Sequence, residues 1–322
     1  MKSICLLTSG GDASGMNAAI RAATRTALKM GMRVLGSLNG YRGLCHDNII
    51  ELDRDAVRNI LHRGGSIIYS TRCDDFMTVE GRARALDVCR KHDIDGLVLI
   101  GGDGTMRGAK IFMDEGGPPS VGLPGTIDND IEGIDYTIGF DTAVNTAIRA
   151  IDQVRDTAET MERIFFIETM GRASGAIALA AGIAGGANIV VVPEIPTDIK
   201  TIAKKIESDR KSGSRSLLVI VSEGDTAGGA YEIAEKVKEI SGIEYRVTVL
   251  GHTQRGGCPT AVDRINATVL GVCAVEDLIE GRYGSLIGMK NGNVTRVPFD
   301  KAVTSHSSLP EVIVKHADTM VT

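Results

Sequence analysis

Short runs of apolar and β-branched residues alternate along this chain with longer segments in which apolar residues recur at helical spacing. The short runs predict buried strands at Ser3–Thr8, Met32–Leu38, Gly96–Ile100, Ser120–Leu123, Ile164–Glu168, Ile189–Val192, Leu217–Val221 and Tyr245–Leu250. The longer segments predict helices at Met16–Met30, Glu80–Lys91, Thr105–Asp114, Thr142–Thr160, Gly175–Ala184, Asp198–Lys211, Gly229–Ile240 and Thr260–Glu280. Near the end of the chain, Asn291 and Gly292 mark the tip of a predicted hairpin.

Strands as apolar as these favour a parallel sheet with helices on both faces. The predicted fold class is therefore α/β, with two doubly wound, mainly parallel sheets. A loop-rich stretch gives way to one long helix near residue 140, where we place a domain boundary. In such folds ligands bind at the carboxyl ends of strands. The strand ends that we expect to carry chemistry are Thr8, Ile100, Leu123, Glu168, Val221 and Leu250.

Composition excludes several classes of protein. The 322 residues suggest two domains, at roughly 100–200 residues each. The 36 basic and 41 acidic residues give a net charge of −5, and aromatic residues make up only 4%, so we expect no nucleic-acid and no membrane partner. The most apolar stretch, Ile177–Val192, is shorter than the roughly 20 residues that a membrane span needs. Ile4–Leu7 is too short for the core of a signal peptide.

Cysteine usage indicates the compartment. The six cysteines lie at positions 5, 45, 73, 89, 258 and 273, with no CxxC pair and no spacing typical of a zinc site. Disulfides are rare in reducing compartments. We therefore expect free thiols and a cytoplasmic location.

Two glycine-rich loops follow predicted strands and open predicted helices. Ser9–Asp12 and Gly101–Gly104 would bring backbone N–H groups to a helix N-terminus, where a phosphate binds favourably. A tight turn without a ligand is the alternative for each loop. Asp103 would repel a phosphate unless a divalent cation lay between them, so it is a candidate Mg²⁺ ligand. A residue that caps the turn is the other interpretation of Asp103.

Two aspartates follow the predicted strand Ser120–Leu123. Asp128 and Asp130 are separated by one residue, so in extended backbone both side chains would point to one side. Close carboxylates repel each other and persist where they bind a metal, act as a base or face solvent. One of them is a candidate to take the proton from a substrate hydroxyl. A solvated turn is the alternative.

Later loops add cations and a further carboxylate. Arg172 and Arg255 stand beside glycines, which suits bidentate contacts with phosphate, and Glu223 suits hydroxyl groups. His252 taken alone is more typical of a structural histidine. Together these groups match the needs of phosphoryl transfer. The chain has no Walker A sequence and no GxGxxG motif after a strand, so P-loop NTPases and dinucleotide dehydrogenases are not favoured.

At this point the chain resembles the bacterial ATP-dependent 6-phosphofructokinases, from Leu7–Asp12 to about Gly292. The resemblance implies an active site in the cleft between two domains. It implies an ATP-binding domain at 1–139 plus 253–303 and a fructose 6-phosphate-binding domain at 140–252 plus 304–322. The segments that carry it, in the family's order, are Gly101–Gly104, Pro124–Asp130, Met170–Arg172 and Gly251–Gly257.

The resemblance also implies roles for single residues. Asp128 would take the proton from the 1-hydroxyl of fructose 6-phosphate, supported by Thr126 and Asp130. Arg72 and Arg172 would stabilise the transferring phosphoryl group, and Asp103 would hold Mg²⁺. The residues implied for ATP are Gly11, Tyr41, Arg72, Cys73, Gly102, Asp103, Gly104, Thr105 and Gly108. Those implied for the sugar phosphate are Thr126, Asp128, Asp130, Met170, Gly171, Arg172, Glu223, His252 and Arg255.

Two more implications concern assembly and the phosphoryl donor. Arg163 and Arg246 match substrate-binding arginines that reach in from a neighbouring subunit in the family, which implies a homo-oligomer, usually a tetramer. Pyrophosphate-using relatives carry Asp and Lys where this chain has Gly104 and Gly125. Because an Asp side chain would fill the space of the nucleotide's α-phosphate, the glycines favour ATP.

The family also has an effector site between subunits that binds ADP or phosphoenolpyruvate. Asn188 stands where an acid often holds the effector's magnesium, and Ser212 and Ser214 stand where lysines are common. We therefore expect anion binding to persist and nucleotide activation to weaken. The residues that match the site are Arg21, Arg25, Arg54, Arg155, Gly186, Asn188, Lys211 and Arg215.

Two alternatives belong to other classes of function. NAD and lipid kinases share the turn Gly101–Thr105, but they lack segments like Pro124–Asp130 and Gly251–Gly257. A catalytically silent sensor of sugar phosphate or nucleotide is the second alternative. All the proposed reacting groups are present in this chain, which argues against the sensor, and a measurement of turnover separates the two.

Overall fold

The computed structural model describes residues 1–302 together with Leu309, Glu311 and Val314. These residues divide into two compact units. The first comprises Met1–Ile127, Ile131–Thr142 and 255–302, and the second comprises Asp128–Asp130, Ala143–Gln254 and the described residues Leu309, Glu311 and Val314. The ligand that each unit binds stays a prediction. Of the predicted segment 304–322, all but the three residues named above lies outside the described residues.

Strands and helices alternate through most of the chain, which confirms the α/β class. The strands are β1 (Ser3–Ser9), β2 (Arg33–Ser37), β3 (Ile49–Glu51), β4 (Ser70–Thr71), β5 (Leu97–Gly101), β6 (Ser120–Pro124), β7 (Ile164–Thr169), β8 (Ile189–Val191), β9 (Leu217–Ser222), β10 (Tyr245–Val249), β11 (Ser285–Lys290) and β12 (Asn293–Pro298). The helices are α1 (Met16–Lys29), α2 (Tyr41–Cys45), α3 (Val79–Lys91), α4 (Asp103–Asp114), α5 (Phe140–Met161), α6 (Ala176–Ala184), α7 (Ile199–Lys211), α8 (Ala230–Ser241), α9 (Ala261–Ile279) and α10 (Phe299–Ala302). Short 3₁₀ turns occupy Asp75–Met77 and Gly251–Gln254.

The sheet of the first unit has the strand order β12-β11-β6-β5-β1-β2-β3, and β4 pairs with the end of β1. The inner strands are parallel to one another, whereas the edge strands β3 and β12 are antiparallel to their neighbours. Every residue of β1, β5 and β6 is buried. A sheet covered on both faces needs largely apolar strands, which explains the runs seen in the sequence.

The second unit contains a four-stranded parallel sheet in the order β10-β7-β9-β8. Strand β9 is buried along its whole length. One core cluster combines Phe166 of β7 and Val219 of β9 with Ile233 of α8. The apolar stretch Ile177–Val192 accounts for most of α6 and for β8, as expected. Within the described ranges, the structure contains no helix with the length and apolar character of a membrane span.

The predicted hairpin near the end of the chain is confirmed as β11–β12. Lys290 pairs with Asn293, and the two residues between them, Asn291 and Gly292, have φ values of 49° and 74°. Left-handed backbone at both tip residues is typical of a type I′ turn. Helix α2 and strand β4 were not predicted, because elements of five and two residues are too short to show a period in the sequence.

Candidate active site

The β1–α1 loop of the first unit lies against an arginine from the segment that follows β10. Nη1 of Arg255 donates to the carbonyl oxygen of Asp12 at 3.2 Å. A Cβ atom on Gly11 would lie 2.3 Å from the same Nη1, so a side chain at this position would displace the guanidinium. The structure therefore brings together Gly11, expected on the nucleotide, and Arg255, expected on the sugar phosphate. A guanidinium beside glycine N–H groups is suited to binding phosphate.

The β5–α4 loop lies beside the β1–α1 loop because β1 and β5 are paired, with Ser9 opposite Gly101. The Thr105 hydroxyl donates to the carbonyl oxygen of Ser9 at 3.2 Å and joins the two loops. Helix α4 begins at Asp103, and Gly102 precedes it with extended backbone. The first N–H groups of α4 have no intrahelical acceptor, and together with the helix dipole they favour an anion at this end.

Asp103 is the metal candidate in this loop. Its side chain is 35% exposed, and one carboxylate oxygen lies 3.9 Å from Nη2 of Arg107 on the next helical turn. Among the residues described, no three His, Cys, Asp or Glu side chains form a group that could hold a metal ion. A single carboxylate fits Mg²⁺ delivered with a polyphosphate, because such ions keep several waters and bind substrate phosphate oxygens.

Tyr41 lies beside α4 and close to Gly108 of that helix, and both residues were expected on the nucleotide. The Tyr41 hydroxyl donates to the carbonyl oxygen of Thr105 at 2.7 Å. Its ring stacks on Phe76, with centroids 3.9 Å apart and planes 12° apart. Burial raises the pKa of Tyr41 and keeps it protonated as a donor. Phe76 was missed by the sequence analysis, since its place in the stack depends on a contact between distant segments.

Arg72 and Cys73 follow β4. Because β4 pairs with the end of β1, with Thr71 opposite Ser9, Arg72 leaves the sheet at the edge that carries the β1–α1 loop. The Gly10 N–H donates to the carbonyl oxygen of Thr71 at 3.5 Å. Arg72 is exposed, whereas Cys73 is partly buried. The unpredicted strand β4 is thus the element that positions both residues.

In the second unit, Asp128 is paired with Arg172. The Asp128 side chain is only 4% exposed, and its Oδ2 atom lies 3.6 Å from Nε of Arg172. Asn129 has a φ of 50°, so the backbone between Asp128 and Asp130 is not extended, and the expectation that both carboxylates point to one side loses its basis. The two aspartates also differ in burial, since Asp130 is partly exposed. Asp128 has the burial and the neighbouring cation typical of a catalytic base.

Glu223 fixes the loop that carries Arg172. Its Oε1 atom accepts from the backbone N–H groups of Gly171, at 3.3 Å, and Arg172, at 3.0 Å. Arg172 has a φ of 54°, which is uncommon for a residue with a side chain. A Cβ atom on Gly224 would lie 1.5 Å from the carbonyl oxygen of Arg172, so glycine is required there. Glu223 was expected to bind hydroxyl groups; in this structure it binds the loop backbone.

Adjacent strands bring the remaining groups of the second unit to one edge of its sheet. Met170 and Glu223 follow the paired strands β7 and β9. His252 lies on the 3₁₀ turn after β10, which pairs with β7, and it is exposed. The Leu250 N–H donates to the carbonyl oxygen of Glu168 at 3.0 Å, which ties the end of β10 to β7.

Arg163 and Arg246 lie at the opposite edge of the same sheet. Arg163 immediately precedes β7, and Arg246 is the second residue of β10, opposite Phe165. At about 3.3 Å per residue, the six residues of β7 place Arg163 roughly 20 Å from Met170. One chain therefore does not bring these two arginines to the group formed by Met170, Arg172 and Glu223.

The residues expected to bind an effector fall into two groups. Arg21 and Arg25 lie on α1, and Arg54 follows β3, all in the first unit. In the second unit, Arg155 of α5 donates to the carbonyl oxygens of Gly185 and Gly186.

The amide oxygen of Asn188 accepts from the Leu218 N–H at 2.9 Å, so Asn188 stabilises the backbone. Nζ of Lys211 lies 4.0 Å from Oε2 of Glu207, and Nε of Arg215 lies 3.9 Å from Oε1 of Glu162.

Comparisons with known proteins extend these observations. The family model described as Phosphofructokinase matches residues 3–278. The chain is 50% identical over 315 residues to ATP-dependent 6-phosphofructokinase 1 of Thermus thermophilus, with 98% of each sequence covered. It is 47% identical over 303 residues to the ATP-dependent 6-phosphofructokinase of Clostridioides difficile, with 94% of each covered.

Solved structures show the same fold. A phosphofructokinase from Saccharomyces cerevisiae superposes with a TM-score of 0.88 and 33% identity over 99% of this chain. The present chain spans about half, 47%, of that yeast chain. A pyrophosphate-dependent phosphofructokinase from Marinobacter aquaeolei superposes with a TM-score of 0.84 at 24% identity, over 96% of this chain and 86% of that one, a likeness of fold alone.

Proposed function

This chain belongs to the phosphofructokinase family, and on that premise we infer that it transfers the γ-phosphoryl group of ATP to the 1-hydroxyl of fructose 6-phosphate. The products are fructose 1,6-bisphosphate and ADP, and the reaction belongs to glycolysis. The observation in this structure that best supports it is the buried Asp128 carboxylate beside Arg172. Transfer of a phosphoryl group to a hydroxyl requires a base that takes the hydroxyl proton and a cation beside the reacting groups.

The two joined glycine loops of the first unit bind the nucleotide in this proposal. Gly11 and the start of α4, from Gly102 to Gly104, contribute N–H groups to the phosphates, and Thr105, whose N–H donates to the Gly102 carbonyl oxygen, belongs to the same site. Tyr41, Cys73 and Gly108 line the same site, and Asp103 holds Mg²⁺. When bound, Mg²⁺ neutralises charge on the phosphates.

Glycine at two positions supports ATP as the donor. A Cβ atom on Gly104 would meet nothing within 4 Å, so the space beside α4 is open to a ligand. A Cβ atom on Gly125 would lie 2.8 Å from a methyl carbon of Ile100 and 3.0 Å from Cε of Met16. A lysine at residue 125 therefore requires movement of this packing, whereas glycine fits it.

Asp128 is the proposed base. Its burial limits competition from water, and Arg172 offers a positive charge beside the point where the hydroxyl proton is taken. Arg72 and Arg172 stabilise the charge that develops on the moving phosphoryl group. Thr126 and Asp130 position the base and the sugar.

The sugar phosphate is bound by the group at the edge of the second sheet and by arginines of a neighbouring subunit. Met170, Gly171, Glu223 and His252 line it, and Arg255 adds a cation. Arg163 and Arg246 face another copy's site in this proposal, which explains why one chain does not bring them to Met170. The assembly is a homo-oligomer, with a tetramer expected.

Two finer assignments complete the proposal. The enzyme works in the cytoplasm, in keeping with its six free cysteines. ADP or phosphoenolpyruvate binds the basic residues of the effector site. Activation by the nucleotide is weak, because the Asn188 amide is hydrogen-bonded to the backbone and offers no negative charge to a metal.

A coupled assay that detects fructose 1,6-bisphosphate tests the function. We expect turnover with fructose 6-phosphate, ATP and Mg²⁺, loss of turnover on chelation of the metal, and weak turnover with pyrophosphate. A preference for pyrophosphate contradicts the donor assignment, and binding without any turnover supports the silent sensor instead.

A further inference from the structure

Two cysteines lie on neighbouring segments beside the proposed nucleotide site. Cys45 ends α2 and is buried, with 4% exposure. Cys73 follows β4, is partly buried, and packs against the same hydrophobic cluster. The Cys45 thiol lies 3.5 Å from the carbonyl oxygen of Gly81, and the nearby Cys73 thiol contributes to the raised pKa of Cys45.

Contacts on both sides hold the two cysteine-bearing segments together. On one side, Tyr41 of α2 stacks on Phe76 with centroids 3.9 Å apart. On the other side, Nε2 of His46 lies 2.8 Å from Oδ2 of Asp75. These two contacts lie on either side of Cys45 and join residues 41–46 to the segment that follows Cys73. This arrangement limits the movement needed to bring the two sulfur atoms to bonding distance.

We propose that Cys45 and Cys73 form an oxidisable thiol pair that a peroxide converts into a disulfide at the edge of the nucleotide site. No assigned role of this chain uses Cys45. The formation of the bond is independent of the enzyme's substrates. Its effect on activity rests on the proposed function, because Cys73 and its neighbour Arg72 are there assigned to ATP.

Exposure decides the order of the chemical steps. Burial raises the pKa of Cys45 to about 12, and the neighbouring Cys73 thiol adds to the shift, so Cys45 is protonated at neutral pH. The more accessible Cys73 reacts first. Its sulfur attacks hydrogen peroxide and breaks the O–O bond, which gives a sulfenic acid and one water. Cys45 sulfur then attacks the sulfenic sulfur, the S–S bond forms, and hydroxide leaves with the Cys45 proton as a second water.

The disulfide is expected to weaken ATP binding. Closing the bond draws Cys73 toward the core and shifts Arg72, which precedes it. Misplacement of a binding group by about 1 Å is enough to lower an enzyme's efficiency severely. We expect the KM for ATP to rise about tenfold on oxidation, and to return when a dithiol reductant opens the bond.

Mass spectrometry tests the pair directly. The full-length enzyme is treated with hydrogen peroxide, its free thiols are alkylated, and it is digested with trypsin without reduction. Cleavage after Arg42, Arg54, Arg72 and Arg82 gives peptides 43–54 and 73–82. We expect these two peptides joined by a disulfide after oxidation and separate after reduction. Absence of the joined peptide while Cys73 is oxidised overturns the proposal.

Kinetics of Cys45→Ser test the consequence. Serine can still donate to the Gly81 carbonyl, and the basal activity is expected to match that of the unaltered enzyme. We expect this variant to lose the reversible rise in KM for ATP, whereas Cys258→Ser, at an exposed cysteine elsewhere, keeps it. A joined peptide with an unchanged KM overturns the link to ATP. If the untreated enzyme fails to phosphorylate fructose 6-phosphate, the proposed function fails, and the peptide result still decides the thiol pair.

Discussion

At the scale of single residues, the candidate site depends on close contacts between glycine residues of its loops and groups of two arginines. The Arg255 guanidinium occupies the space beside the β1–α1 loop that a Cβ atom at residue 11 would need, and the Arg172 carbonyl occupies the space that a side chain at residue 224 would need. Glycine and arginine were recognisable in the sequence as parts of phosphate sites. Which arginine contacts which glycine depends on how distant loops pack, and the spacing of residues along the chain does not predict this packing.

Replacing Asp128 tests the base. Asp128→Asn keeps the size of the side chain but removes its capacity to accept a proton, so we expect kcat to fall by about 10²–10⁴-fold with a smaller change in KM. Initial rates over a range of fructose 6-phosphate concentrations measure both. Asp87→Asn, at an exposed surface aspartate, serves as the control for loss of a carboxylate. Near-normal turnover of Asp128→Asn would remove this residue from the mechanism.

Replacing Gly104 tests the donor argument. A Cβ atom there meets nothing within 4 Å, so Gly104→Asp is expected to fold normally while its carboxylate enters the open space beside α4. We expect the KM for ATP to rise at least about tenfold through charge repulsion and lost space. Gly104→Ala, which adds no charge, separates repulsion from bulk. Unchanged ATP kinetics in the aspartate variant would contradict the assignment of this loop to the nucleotide.

At the scale of elements, the long helix α9 is joined to the terminal hairpin by a buried aspartate. Asp277, with 0% exposure, accepts from Arg282 at 2.7 Å and from Arg296 of β12 at 2.6 and 2.7 Å. Burial acts most strongly on Asp277 and raises its pKa, but the hydrogen bonds and charges of Arg296 and Arg282 outweigh burial and leave the pKa below its usual value. The folded state therefore favours the ionised carboxylate.

The stability of the fold should depend on Asp277 in a pH-dependent manner. A lowered folded-state pKa contributes stability that is present above the ordinary aspartate value and is lost as the pH falls through the folded value. We expect Asp277→Asn to lower the free energy of unfolding by about 2 kcal/mol at pH 7. Denaturant unfolding at several pH values measures the effect, which should shrink below about pH 4.

The control for this experiment is Asp87→Asn, which alters an exposed pair with Arg90 on α3. Surface pairs of this kind contribute about 0–1 kcal/mol, so little change is expected. A loss of stability in Asp277→Asn that stays constant from pH 7 to pH 3 would show that packing, and not the charge of Asp277, is responsible.

Most elements were predictable from the sequence because the central strands of both sheets are buried. Such strands need apolar side chains on both faces, and β5 and β9 therefore appear as continuous runs. Helices such as α4 and α8 show their period for a related reason, since one face of each packs on a sheet. β4 and α2 were not predictable, although they position Arg72 and Tyr41. Their formation depends on tertiary contacts with β1 and with the 3₁₀ turn at Asp75–Met77.

At the scale of the whole molecule, the placement of Arg163 and Arg246 supports a shared site. Both lie at the amino ends of their strands, away from Met170 and Glu223 of the same chain. The proposal that they serve a neighbouring copy predicts that sites in a mixed oligomer can be rebuilt from two defective subunits.

Complementation tests this arrangement. Arg246→Ala is expected to raise the KM for fructose 6-phosphate about tenfold or more, since it removes a charge-assisted contact. When subunits with this change are denatured and reassembled with Asp128→Asn subunits, we expect activity above that of either variant, because some sites regain both groups. Unmixed variants treated in the same way are the controls. Failure of the mixture to recover any activity would contradict the shared site.

The order of the segments along the chain has a consequence for biosynthesis. The first unit is built from residues near both ends of the described chain, and its strand β6 pairs with β11, which is made more than 150 residues later. The second unit is largely one uninterrupted stretch between them. On the ribosome, the long stretch Ala143–Gln254 of the second unit is therefore made before β11, and the β6 edge of the first unit stays unpaired while that stretch forms.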